Sequence, residues 1–311
     1  IKTIKTEGRA DRYAVYVPKG YTPKKSWPLH ISLHGGGGNG PATCQRRWGD
    51  DWPKKFILVC PTTPGGRWWS PQGEATVLAV YRRMMRDYRI NTDMVTVGGL
   101  SNGGTGTLHL ATKFPWLWAA VVPRCPARFA FEQWYDNMSK LPAFLIHGAR
   151  DSQIVPSNSQ WIVQRLKELG NEPRYIEVPG GGHDFFSELN PKAVKWFLPK
   201  KRKHTSSFSY NRVRGSDPDM IYWLSAKGAG DIKASMKRKG KTTVVHITTS
   251  RNPRHLKVYF PKNRVSRNAR IILNGKVVYA GRMPASARHV LESFAATGDL
   301  RRVFSGAVTI R

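Results

Sequence analysis

The stretch Val95–Gly104, Val-Thr-Val-Gly-Gly-Leu-Ser-Asn-Gly-Gly, constrains this chain more than any other. A β-branched run leads into Gly99-x-Ser101-x-Gly103, and a helix-compatible segment from Thr105 to Lys113 follows at once. Strand, sharp turn and helix in that order lift one hydroxyl clear of a sheet edge. The flanking glycines suit a strained turn, because a Cβ near such a serine is crowded. A small-residue turn before an ordinary helix has the same spelling, so the rest of the chain must decide between them.

Either side of this stretch, apolar runs alternate with amphipathic ones. Strands are predicted at Arg12–Val17, Leu29–Leu33, Phe56–Cys60, Met94–Val97, Ala119–Val122, Ala143–Ile146 and Tyr175–Val178. Helices are predicted at Gln45–Lys54, Glu74–Tyr88, Trp161–Leu169 with Gly170 as its cap, and Pro191–Leu198. In Glu74–Tyr88 the residues Val77, Leu78, Tyr81, Met84, Met85 and Tyr88 share one side and read as core. The alternation predicts an α/β fold with a mainly parallel, doubly wound sheet.

The pattern changes at Pro199-Lys200-Lys201-Arg202-Lys203-His204. Beyond this basic run the apolar period is two. Candidate strands are Met220–Ala226, Ile232–Lys237, Thr243–Thr248, Leu256–Phe260, Ala269–Leu273, Val277–Tyr279 and Val308–Ile310, with a helix within Pro284–Thr297. Asn274-Gly275 between two of them is a hairpin signal. The chain therefore divides into 1–198, a basic linker 199–204, and a small β-rich, sandwich-like domain 205–311.

Charge is uneven as well as large. The chain carries +31; residues 1–198 hold 26 basic and 15 acidic residues (+11), and 199–311 hold 25 and 5 (+20). Such a field attracts polyanions, so an acidic polysaccharide or anionic surface is the partner it would fit. No nucleic-acid motif accompanies the charge, so no specific nucleic acid is expected and a solvated basic surface is the default. No run of about 18 apolar residues is present, which excludes a transmembrane helix. The chain opens on Ile1 without a charged-then-apolar leader, which reads as a mature or trimmed form. Of the three cysteines, Cys44 and Cys60 are the pair a bridge would join, but three buried thiols are the expectation.

A serine that attacks an acyl group needs a base, and the base needs a carboxylate to fix its tautomer. Ser101, Asp151 and His183 occur in the order that strand-end loops of such folds use, each just after a predicted strand. Asp184 is the alternative acid and His147 the alternative base, though His147 suits bracing of the acid loop and His34 bonding to backbone. His34 opens a run of four glycines, Gly35–Gly38, after a buried strand, where amides can face an oxyanion. Neighbouring Trp68 and Trp69, of which at most one is expected to face a ligand, and Ile154 are the candidate substrate contacts.

The motifs His34-Gly35-Gly36-Gly37, Gly99-Leu100-Ser101-Asn102-Gly103-Gly104, His147-Gly148-x-x-Asp151 and Gly182-His183 resemble the α/β-hydrolase superfamily. Within it they are most similar to feruloyl esterase and polyhydroxyalkanoate depolymerase-like esterases, over about residues 10–198. The resemblance implies Ser101 as nucleophile, His183 as base, Asp151 as its orienter and the amides of Gly36 and Asn102 as oxyanion hole. It implies a secreted or periplasmic ester hydrolase acting on aromatic or polymeric esters, without metal or organic cofactor. The four-glycine run departs from the depolymerases' loop. The doubled glycine after the serine also occurs in prolyl-oligopeptidase-type peptidases, one alternative. A polyanion- or surface-binding protein whose hydrolase part is secondary is the other.

Overall fold

The computed structural model describes residues 2–6, 9–48, 55–213, 218, 220–261, 266–297, 299 and 301–310. The chain separates into two compact units, Ile1–Lys203 and His204–Arg311. The boundary falls inside the basic run 199–204. Arg202 of that run is buried, with its Nη2 2.8 Å from Asp93 Oδ1, so this residue is anchored in the first unit.

The first unit is built on one sheet of eight strands: β1 (Lys2–Thr6), β2 (Arg9–Tyr16), β3 (Trp27–Leu33), β4 (Ile57–Pro61), β5 (Ile90–Leu100), β6 (Ala120–Arg124), β7 (Phe144–Gly148) and β8 (Arg174–Val178). Their order is β1-β2-β4-β3-β5-β6-β7-β8. The first three pair antiparallel and the rest parallel. Strand β1 carries no apolar alternation and is absent from the predicted set; it forms at the sheet edge by pairing with β2, with Lys2 Nζ donating to Tyr88 Oη at 3.0 Å.

Residues of both pleat directions are buried. Leu58, Ala120, Phe144 and Ile146 pack with Phe197, Trp48 and Phe185 in one cluster, while Val59, Val97, Val121 and Leu145 are also fully buried. That double burial is why these strands read as near-continuous apolar runs. After the single turn α1 (Gly40–Thr43), helix α2 (Pro71–Asp87) buries Glu74, Val77, Val80, Tyr81 and Met84, one position rotated from the expected side, leaving Leu78 and Met85 half-buried. Helices α3 (Asn102–Lys113), α4 (Ser157–Glu168) and α5 (Asn190–Phe197) complete the layers.

Two expectations are corrected here. The helix expected over Gln45–Lys54 is instead a short turn, Gly40–Thr43, running into a single π-helical turn, Cys44–Trp48; residues 49–54 lie outside the described set. Cys44 and Cys60 are joined in a disulfide rather than left as thiols, and only Cys125 is free. The π-turn brings Cys44 to a Cα–Cα distance of 5.9 Å from Cys60 at the end of β4, a proximity that spacing along the chain does not reveal.

Topology locates the crevice. The chain leaves β3 for β4 on one side, then returns past β3 to lay β5 on its other side. Ligands in open parallel sheets bind beyond the carboxyl ends of strands at such a reversal. Here those ends are Leu33 and Leu100, the first followed by the glycine run and the second by Ser101.

The second unit has two sheets. Strands β9 (Ser207–Tyr210), β11 (Ile232–Lys239), β12 (Thr242–Thr249), β14 (Asn268–Leu273) and β15 (Lys276–Arg282) form one; β10 (Leu224–Lys227), β13 (His255–Phe260) and β16 (Gly306–Ile310) form the other. Alternate residues are buried in β11, Ile232, Ala234 and Met236 against exposed Lys233, Ser235 and Lys237, whereas β10 and β16 bury consecutive ones, Leu224–Ala226 and Gly306–Val308. Asn274 and Gly275 both take positive φ, 48° and 81°, and close the β14–β15 hairpin as their spelling predicts. The helix within Pro284–Thr297 is Ala287–Thr297.

Candidate active site

Ser101 follows β5 and precedes α3 with φ 58°, ψ −120°, a conformation that costs a non-glycine residue of order 1–3 kcal/mol. The turn is held by its neighbours. A Cβ on Gly99 would meet Leu33 O at 2.6 Å, and one on Gly103 would meet the same oxygen at 2.3 Å, so neither position accepts a side chain. Ser101 N–H donates to Arg124 O at 2.9 Å, tying the turn to the end of β6.

The glycine run lies against this turn. Cβ atoms built on Gly35 and Gly36 would come within 3.4 Å of Ser101 Cβ and 3.3 Å of Asn102 Nδ2 respectively. Gly37 takes φ +69°, and Gly38 N–H returns to Gly35 O at 3.2 Å, so the run is a tight turn rather than a loose connection. Asn102 opens α3, where amides have no acceptor within the helix. His34 braces the turn. Its Nε2 accepts from Thr63 N–H at 3.1 Å, which leaves Nδ1–H to donate to Gly35 O at 2.7 Å. Burial lowers the His34 pKa, keeping it neutral in this role.

Asp151 and His183 meet across the ends of β7 and β8. Asp151 Oδ2 accepts from His183 Nδ1–H at 2.7 Å; Oδ1 accepts the amides of Gln153 and Ile154 at 2.9 and 3.0 Å. Burial alone would raise the Asp151 pKa, but these amide hydrogen bonds and the contact with His183 outweigh it and hold the carboxyl below its ordinary value. Glycine makes the meeting close: a Cβ on Gly148 would strike Gly182 O at 2.1 Å. Ser101, His183 and Gly36 line one cleft of about 350 Å³.

The rival residues take other parts. His147 is buried, with Nε2–H donating to Ile154 O and Nδ1 accepting from Ser159 Oγ, both at 2.7 Å; burial lowers its pKa, and it braces the acid loop. Asp184 is exposed and pairs with Arg47 at 2.9 Å. Cys125 Sγ lies with the His147 and Asp151 ligand atoms inside 4.8 Å, but both His147 nitrogens are spent. Burial pushes the Cys125 thiol up to about 12, so it stays protonated.

Trp68 is corrected as a ligand contact: it is fully buried, and its Nε1 donates to His34 O at 2.9 Å, supporting the glycine turn from behind. Trp69 is exposed and Ile154 half-buried, and neither lines the cleft. Arg46, Arg47, Gln153 and Phe185 line it instead. The two arginines lie on the π-turn that begins at the bridged Cys44, so the cysteine pair was the one signal near them. Arg124, also unforeseen, is buried, donates to Phe185 O, Phe186 O and Asn190 Oδ1, and stacks 4.0 Å from Phe185, fixing the segment after His183.

No family model matches the chain. A secreted protein of uncharacterised function from Arthroderma benhamiae is 28% identical over 32% of this chain and 14% of its own length. The crystal structure of a thermostable esterase matches with a TM-score of 0.55 and 25% identity, covering 65% of this chain and 62% of that one. A ferulic acid esterase from Anaeromyces mucronatus, solved with ferulic acid, matches at TM-score 0.51 and 18% identity, over 64% of this chain and 89% of its own. The chain thus spans under two thirds of the first of these structures and a small part of the fungal relative.

Proposed function

We propose that this chain, which has an α/β-hydrolase fold, is a serine carboxylic-ester hydrolase working through an acyl-enzyme. The observation that carries the reading is the 2.7 Å Asp151–His183 contact, opening on the cleft that Ser101 also lines. In this scheme Ser101 Oγ attacks the ester carbonyl and its proton passes to His183 Nε2. Asp151, ionised and held by amides, steadies the imidazolium through Nδ1–H. The carbonyl oxygen, now negative, accepts from the amides of Gly36 and Asn102. His183 returns the proton to the departing alcohol; it then takes a proton from water, whose oxygen attacks the acyl carbonyl, and gives that proton back to Ser101 Oγ as the acid leaves.

Esterase neighbours, including one solved with ferulic acid, support ester substrates, aromatic ones among them. The disulfide and the secreted fungal relative support an oxidising, extracytoplasmic location. No helix among the described residues is long and apolar enough to cross a membrane. On the second unit, Lys233, Lys237 and Arg270 project from one sheet face, since Lys237 pairs with Val244 and Val244 with Arg270. That face supports retention on an acidic polymer; replacing the three by glutamine should lower the salt needed to elute the protein from heparin resin.

The test of the main reading is turnover of a panel of p-nitrophenyl and hydroxycinnamate esters, with Ser101→Ala as control. Folded protein that hydrolyses none of them sinks the proposal. Cleavage of peptide substrates with little ester turnover would put a peptidase in its place.

A further inference from the structure

We infer that Arg46 and Arg47 form a carboxylate-binding subsite in the cleft, so that the preferred ester carries a carboxylate near the bond to be cut. The inference rests on the ester-hydrolase reading and narrows its substrate. Among the described residues that line the cleft there is no aspartate or glutamate, whereas both arginines are present. Arg46 makes no hydrogen bond or ion pair among the described residues, so its guanidinium is unspent. Arg47 Nη1 holds the Asp184 carboxylate at 2.9 Å, and both partners are about half exposed, 41% and 58%. Arg47 is thus already engaged with a carboxylate beside His183, through an exposed pair that an incoming carboxylate can displace at little cost.

The subsite is preorganised. The Asn39 side chain caps the turn at Ala42 N–H, 2.9 Å; Cys44 is bonded to Cys60 of β4; and Trp48 Nε1 donates to Ser32 Oγ of β3 at 2.9 Å. Asn190 Nδ2, from the start of α5, donates to Arg47 O at 2.8 Å. Two cations on a backbone pinned at four points lose little freedom when they take a ligand. The carrier is a single π-helical turn, an irregularity that recurs at functional sites. Guanidinium forks match a carboxylate in two-pronged geometry, which a general positive surface does not. The cleft offers Phe185 as its single Phe, Tyr or Trp ring among the described lining residues, so an uncharged aryl group has little to stack on.

The experiment compares kcat/KM for two matched ester pairs at about 0.15 M and about 0.5 M salt, conditions that screen long-range attraction. One pair puts the charge on the acyl side, mono-4-nitrophenyl succinate against 4-nitrophenyl butyrate. The other puts it on the alcohol side, 4-acetoxybenzoate against its methyl ester. For at least one pair the anionic member should be favoured about tenfold or more, as charge-assisted hydrogen bonds allow. R46Q/R47Q should bring that ratio to about one, and R47K should leave it intermediate. Removing two remote surface charges, K24Q/K167Q, should leave the ratio where it was. Turnover of the neutral esters with no anionic preference in either pair, or a preference that R46Q/R47Q retains, overturns the subsite and leaves the hydrolase reading standing. Absence of turnover for all four esters by folded protein overturns both.

Discussion

Two histidine–carboxylate contacts of 2.7 Å or less are found among the described residues of the first unit, and their geometry is nearly the same. His183 Nδ1 is 2.7 Å from Asp151 Oδ2, and His109 Nε2 is 2.6 Å from Glu74 Oε1. Both carboxylates are almost fully buried. What separates them is where the negative charge goes and what the imidazole can reach. Glu74 also holds Lys113 Nζ at 2.7 Å with each of its oxygens, so its charge is already balanced. His109 is enclosed and does not line the cleft that holds Ser101. Besides His183, Asp151 meets two backbone amides and, at 3.2 Å, Nε2 of His147, which burial biases toward its neutral form, and His183 opens on the cleft that holds Ser101. A short histidine–carboxylate contact is therefore not by itself a mark of catalysis; uncompensated charge and access to a nucleophile are.

The largest effect that could break this contrast is at the nucleophile. Ser101→Ala should lower ester turnover by on the order of 10⁶ while leaving the melting temperature near that of the parent, because the hydroxyl faces the cleft. Substantial residual turnover would mean that another group attacks, and the Asp151–His183 pair would lose its distinction. Asp151→Asn should cost on the order of 10⁴ in turnover with the fold intact, since an amide favours the wrong imidazole tautomer.

Glu74→Gln should behave oppositely. It leaves Lys113 charged inside the unit, and removing one member of a buried pair costs about 3–5 kcal/mol. Denaturant unfolding should show that loss, while turnover per folded molecule stays close to the parent. A large fall in kcat with unchanged stability would mean that this pair, too, serves the chemistry.

A smaller effect follows from the histidines that the fold keeps neutral. Burial lowers the His30 pKa to about 3, with its Nδ1 on Thr96 Oγ1 at 2.8 Å. An unfolded histidine takes up a proton below about 6.5, whereas His30 in the folded chain does not. Stability should therefore fall as pH drops below about 6.5, by about 1.4 kcal/mol per pH unit for this one residue, reaching about 2 kcal/mol at pH 5. Urea unfolding of His30→Gln against the parent at pH 7 and pH 5 measures it; equal pH dependence would place the loss elsewhere. The smallest effect should come from Asp184→Asn, an exposed partner of Arg47, with neutral-ester turnover changed by no more than a few-fold. A loss matching that of Asp151→Asn would move the orienting role to Asp184.

Much of the first unit was legible because its strands are buried on both faces. Continuous apolar runs such as Phe56–Cys60 and Ala119–Val122 have few other places to go, and strand-end glycines mark where the backbone must turn or approach closely. The same logic put Ser101, Asp151 and His183 at strand ends, where the structure gathers two into a 2.7 Å contact and sets the third on their cleft. The hairpin at Asn274-Gly275 was legible for a local reason, since both residues tolerate positive φ.

What the one-dimensional pattern could not carry were contacts made by distant residues of ordinary character. A helical period does not say that Glu74 will be buried, because that depends on Lys113 and His109 arriving from another helix to offset its desolvation. Nor does adjacency say which of Trp68 and Trp69 turns inward; the carbonyl of His34, 34 residues away, decides it by accepting the Trp68 indole. Cys44 and Cys60 read as separate thiols until the π-turn, which carries Arg46 and Arg47 to the cleft, and β4 bring them together. Local backbone preference and hydrophobic period act within a few residues and survive in the sequence. Charge compensation, covalent bridging and the choice of which side chain faces a ligand are settled by partners that only the tertiary fold supplies.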